Sequence, residues 1–116
     1  EMCIRDRLKA QFESNTPWNL TDGEVLTDQE ARARVKDRLL GNVFTIATHL
    51  VENDVVSVTD LELGVCTALA WPKGPFGMMN DLGMEETTRL IQQSVAVGDY
   101  NMPKRFQWGT AEAWKL

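Results

Sequence analysis

The sequence predicts an all-α fold, a small helix bundle. Three observations carry this expectation. A capping signature at Thr27-Asp28-Gln29-Glu30 opens a long stretch of helical periodicity. A second cap at Ser57-Val58-Thr59-Asp60 opens another. A corner rich in proline and glycine, Trp71–Gly83, stops one helix and starts the next. No strand is expected, because the short apolar run Asp54–Val58 is too brief and too polar at its start.

Taken in order, residues 1–7 fit no element that follows. The string Met2-Cys3-Ile4-Arg5-Asp6-Arg7 resembles translated sequencing-adapter read-through, so this stretch reads as an artefactual tail, and the chain as a reading frame cut short. Residues 8–26 read as a connector. A short amphipathic piece at Leu8–Phe12 gives way to the turn formers Ser14-Asn15-Thr16-Pro17 and Thr21-Asp22-Gly23, with Phe12, Trp18 and Leu20 able to pin the strap to a folded body.

Thr27 and Glu30 then form a capping-box pattern, in which hydroxyl and carboxylate satisfy free N–H groups at a helix start. Val35, Leu39, Val43, Ile46, Ala47 and Leu50 recur at helical spacing, widened by Leu40, Phe44 and Val51. This predicts one helix over Asp28–Glu52, ended by Asn53-Asp54. Ser57 caps the next, whose stripe is Leu61, Val65, Ala68 and Leu69, and Pro72 stops it by disfavouring helical geometry in Trp71. Pro75 suits the first turn of a new helix, Pro75–Leu82, closed by Gly83 as a left-handed cap. A last helix, Glu85–Val97, turns Leu90, Ile91, Val95 and Thr87 inward and ends at Gly98. The remainder, 99–116, holds Pro103, Phe106, Trp108 and Trp114 but little period, and reads as a tail or linker to a following domain. Residues 27–98 are thus the expected helical domain.

The 116 residues are one domain's worth, and a composition of 43% apolar and 25% charged residues excludes a wholly disordered chain. A net charge of −5 argues against nucleic acid as a partner. No apolar run approaches the ~20 residues that cross a bilayer, so no membrane partner is expected and the cytoplasm fits best. Two cysteines, Cys3 and Cys66, without CxxC spacing and with a single histidine, give neither a metal site nor a disulfide framework.

Nucleotide motifs are absent: there is no GxGxxG after a strand and no GxxxxGK[ST], so no cofactor site is expected in this chain. His49 lies beside the apolar stripe and reads as a surface or half-buried residue. Asp60, Glu62, Glu85 and Glu86 fall in first helical turns, where capping and the dipole explain them. Arg32, Arg34, Lys36 and Arg38 with Glu30 read as a solvated face with local ion pairs, and the four tryptophans as packing anchors. Two features resist such readings. One is the tight corner Trp71–Gly83. The other is Gly41, early in a long helix, which costs about 1 kcal/mol relative to alanine and so makes room for something passing close by.

Together these features resemble the helical C-terminal domain of 3-hydroxyacyl-CoA dehydrogenases. The likeness rests on Lys36-Asp37-Arg38-Leu39-Leu40, then Ser57-Val58-Thr59-Asp60-Leu61-Glu62, then Trp71-Pro72-Lys73-Gly74-Pro75-Phe76, then Asn80-Asp81-Leu82-Gly83-Met84-Glu85, and covers Val35–Val97. The variant Trp-Pro-Lys-Gly is most similar to the second copy of this domain in proteins that fuse the dehydrogenase to an enoyl-CoA hydratase. Asp37 stands where the family's active copy has a substrate-positioning asparagine, and a carboxylate donates no amide hydrogen bond. Asn80 stands where the family has aspartate. The resemblance implies a division of labour: a missing N-terminal Rossmann domain binds NAD and carries the catalytic His/Glu pair, and the helical domain closes over acyl-CoA and forms much of a homo-oligomer interface. It implies further partners in the same polypeptide, a first helical copy and a hydratase domain. This chain then has no catalytic residue of its own. Asp37 and Gly41 are the expected substrate-facing positions, and Trp71, Pro72, Gly74, Pro75, Phe76 and Gly83 the structural motif.

Overall fold

The computed structural model describes residues 4–17, 27–98, 100–109 and 111–116, the first four by backbone alone. Among the described residues all regular structure is helical: α1 Ile4–Ser14, α2 Gln29–Glu52, α3 Val58–Ala68, α4 Pro75–Leu82 and α5 Met84–Val97, with one 3-10 turn at Lys104–Phe106. Expectations placed on Cys3, Trp18, Leu20 and Thr21–Gly23 lie outside the described residues. No described helix is long and apolar enough to cross a membrane.

Helix α1 runs across the expected boundary between residues 7 and 8, so the tail and the start of the connector share one element. Its apolar residues Leu8 and Phe12 are 54% and 86% exposed. They do not pin it to the folded body.

Helix α2 begins one residue later than the capping box implied. The cap is Asp28, whose Oδ1 accepts from the N–H groups of Glu30 at 2.9 Å and Ala31 at 3.2 Å. Aspartate serves this position as well as a hydroxyl residue and adds a charge favourable to the dipole. Glu30 is left to pair with Arg34 one turn on, as the solvated-face reading anticipates.

The buried face of α2 is also rotated from the apolar stripe. Gly41, Phe44, Thr45, Ala47 and Thr48 are buried, whereas Val35, Leu39 and Ile46 are exposed. The cause is the crossing with α5, the most extensive helix–helix contact among the described residues. A Cβ built on Gly41 would lie 2.5 Å from the Leu90 carbonyl oxygen, so the glycine lets the α5 backbone lie directly on α2. Thr45 and Thr48 follow into the core because their hydroxyls donate to the carbonyls of Gly41 and Phe44, at 2.7 and 2.8 Å. A threonine satisfied by its own helix is buried at little cost.

Ser57 caps α3 as expected, accepting from the Asp60 N–H at 3.1 Å. The stripe of α3 is covered only in part: Leu61 and Val65 are half-buried, Ala68 and Leu69 exposed, and no residue of this helix is fully buried. It ends at Ala68, ahead of the proline, with Ala70 at φ 52°. Helix α4 has the expected limits. Gly83 has the positive φ of 84° that favours glycine, but ψ is 149°, outside the left-handed helical region, because this one residue ends α4 and begins α5 without a loop between them.

The segment after α5 is no free tail. Phe106 is 1% exposed and joins Phe44, Ala47, Phe76, Met79, Leu90 and Ile91 in the core, with Met102, Ala111 and Trp114 against its edge. Two side chains of α2 hold it there. His49 Nε2 lies 2.8 Å from the Asn101 carbonyl, and the Glu52 carboxylate accepts from the N–H groups of Lys104 at 3.0 Å and Arg105 at 2.7 Å. Glu52 thus caps the 3-10 turn from a distance in sequence.

Candidate functional site

The corner before α4 is assembled from two helices. Pro75 takes the first helical position, where its missing N–H is harmless. Gly74, the cap residue, offers no side chain to the N–H groups that follow. Glu62 of α3 supplies it: Oε1 accepts from Phe76 N–H at 2.6 Å and Gly77 N–H at 3.3 Å. A Cβ on Gly74 would lie 2.5 Å from the Glu62 carboxylate, so the glycine is the space through which the carboxylate reaches α4. Lys73 pairs with Asp81 across the short helix.

Ahead of this corner, Trp71 and Pro72 face the N-terminal half of α2. With Val35, Leu39, Leu40, Val43 and Met78 they line a groove of about 860 Å³, edged by Arg32 and Lys36. Val35 and Leu39, which the rotation of α2 leaves outside the core, are therefore part of its floor. An apolar trough with cations at its rim suits an aliphatic chain or an apolar helix face carrying anionic groups nearby.

Asp37 and Gly41 lie toward α5. Gly41 is buried under Leu90. Asp37 Oδ2 accepts from Arg89 Nη2 at 2.8 Å; Arg89 also donates to both Glu86 oxygens at 2.6 and 2.7 Å and to Gln93 Oε1 at 2.9 Å. The Arg89 hydrogen bond holds the Glu86 carboxyl below its ordinary range. The bonds to Glu86 and then Asp37 push the guanidinium up. The cluster is an electrostatic clamp between α2 and α5, and its members are too exposed to make it strong.

Asn80 holds the C-terminal segment. Its Oδ1 accepts from Trp114 N–H at 2.8 Å and its Nδ2 donates to the Trp114 carbonyl at 2.9 Å. The Trp114 ring lies 4.5 Å from Phe76 at 52°, its Nε1–H points to Met79 Sδ at 3.2 Å, and the Arg105 guanidinium lies over it at 4.1 Å. An aspartate at position 80 has no N–H for the Trp114 carbonyl. That contact gives the asparagine at position 80 a physical role.

Of the motif residues, Gly74, Pro75 and Phe76 build the corner, Trp71 and Pro72 the groove, and Gly83 the α4–α5 junction. The roles of Glu62 and Asn80 were invisible in the sequence. Gly74 has no side chain with which to cap the helix it precedes, and nothing in the order of residues says that Glu62 supplies the acceptor. No group of three or more His, Cys, Asp or Glu among the described residues is arranged to hold a metal ion. Comparison of the chain with protein-family models, curated proteins and solved structures finds no match.

Proposed function

We propose that this chain is the second, non-catalytic helical domain of a 3-hydroxyacyl-CoA dehydrogenase, a cytoplasmic oxidoreductase of fatty-acid β-oxidation, and that alone it performs no chemistry. NAD and the proton-abstracting His/Glu pair belong to the N-terminal Rossmann domain of the parent enzyme. This domain supplies a surface on the substrate side and for self-association, with a first helical copy before it and an enoyl-CoA hydratase domain after it. The observation that supports the reading is the Trp71–Phe76 corner, whose first two residues line the apolar groove on α2. Asp37 adds to it: tied to Arg89, it is occupied as a structural group where a catalytic copy would present an amide to substrate.

Genomic sequence upstream of Leu8 tests the proposal. A Rossmann glycine motif followed by one earlier helical copy is expected there, and a clean frame lacking both overturns it. A matching assay is that the chain with NAD and a 3-hydroxyacyl-CoA forms no NADH, whereas the full polypeptide does. The second reading is a freestanding helical interaction module without redox activity. It is favoured by α3, an apolar helix none of whose residues is fully buried among the described residues. It requires a natural start codon close to Leu8 and a purified domain that self-associates.

A further inference from the structure

The contacts of Trp114 have the form of peptide recognition. Asn80 pairs with both the N–H and the carbonyl of one residue, an arrangement that reads extended backbone and ignores the side chain. The side chain is read separately, by Phe76, Met79 and Arg105 around the indole. Arg105 Nη2 adds a bond to the Glu112 carbonyl at 2.6 Å, again to backbone. The flanking side chains Glu112, Ala113, Lys115 and Leu116 are exposed. One anchored aromatic and a few main-chain bonds, with Ala111 against the core edge, therefore hold the segment, as in complexes where a single tryptophan dominates affinity. Ahead of it, Trp108 is 93% exposed and Gly109 has φ 115°.

We propose that the cleft of Phe76, Met79, Asn80 and Arg105 is a receptor for an extended tryptophan-bearing peptide. It is filled within one chain by residues 111–116 and is open to the same segment of a second copy. Exchange of an identical element between copies creates no new contact, so its cost is confined to the connection that must open. Here the exposed residues Trp108 and Gly109 lie on that connection. The tether gives the chain's own segment an effective concentration of about millimolar, which keeps the cleft filled in cis at ordinary dilution.

The test uses a labelled peptide of residues 109–116 and the full chain carrying Trp114→Ala, with binding read by fluorescence anisotropy. Saturable binding is expected, at least tenfold tighter than to the wild type, whose own segment competes. Replacing the peptide's tryptophan by alanine, or adding Asn80→Asp to the chain, should abolish it. No binding to a Trp114→Ala chain that keeps its helical circular dichroism overturns the proposal, as does binding indifferent to both changes. If Trp114→Ala loses its helical signal, the wild type carries the test. Unlabelled peptide above the effective concentration must then shift the Trp114 indole and Asn80 amide resonances, and unmoved resonances overturn the proposal.

Discussion

Glu62 reaches from α3 to the start of α4 and gives there the acceptor that Gly74 lacks. The carboxylate and the glycine are one device: the first satisfies two N–H groups, the second leaves room for it. Removing the carboxylate by Glu62→Ala should cost about 0.5–2 kcal/mol, the usual worth of a helix cap. Gly74→Ala should cost about as much by a different route. Its backbone, at φ −78° and ψ 177°, accepts alanine, but the new methyl displaces the flexible Glu62 side chain. The two losses are then the same loss. Urea denaturation of both single variants and the double should show the double no less stable than either, a coupling of about 1 kcal/mol. Additive losses would mean that Gly74 serves something other than the cap. At this scale little was legible. Ser57 was found as a cap because its acceptor and donor are three residues apart. Glu62 and Asn80 act across 14 and 34 residues, and spacing carries no signal at that range.

The helices α2–α5 were visible in the sequence nearly to their ends, since caps, prolines and glycines act within one turn. Their rotation was not. Counting apolar residues put Val35, Leu39 and Ile46 of α2 inside, and the structure puts Gly41, Thr45 and Thr48 there instead. A periodic stripe reports which face is apolar. Which face is covered depends on where a second helix can come closest, and at Gly41 that approach is close enough to outweigh the stripe. The same glycine allows a test with competing signs. Gly41→Ala gains about 1 kcal/mol of helix propensity. Against it, the methyl meets a backbone carbonyl of α5 at 2.5 Å and Ser94 Cβ at 3.1 Å, and no side chain can swing aside to relieve the first contact. Forcing an extra methyl into a packed site costs about 1–3 kcal/mol, toward the upper end where backbone must move. Net destabilisation of about 1–2 kcal/mol is expected in chemical denaturation. A stabilised variant would show that α5 slides freely on α2.

Among the described residues the core draws on α2, α4, α5 and the C-terminal segment. A domain ended at residue 98, as the periodicity suggested, omits Phe106, which is buried among Phe44, Phe76 and Ile91, and omits Trp114 at the edge of the same cluster. The omission has a physical origin: Phe106 closes a three-residue 3-10 turn and Trp114 sits on irregular chain, held by Glu52, His49 and Asn80, and neither stretch has a period to detect. Phe106→Ala should remove about 3–5 kcal/mol, as for other buried aromatics. That is a large share of the 5–15 kcal/mol typical of a domain. A chain ending at Gly98 loses this and also uncovers the face of Phe76 that Trp114 shields, so it should not melt cooperatively at all. Removing residues 1–17 should do almost nothing, because Leu8 and Phe12 of α1 are exposed, and surface changes stay within about 0.5 kcal/mol. Thermal melts of the three chains followed by circular dichroism separate these expectations. A Gly98-terminated chain with the parent's midpoint would return the C-terminal segment to the status of a linker, and would require that the core close over the Phe106 site without it.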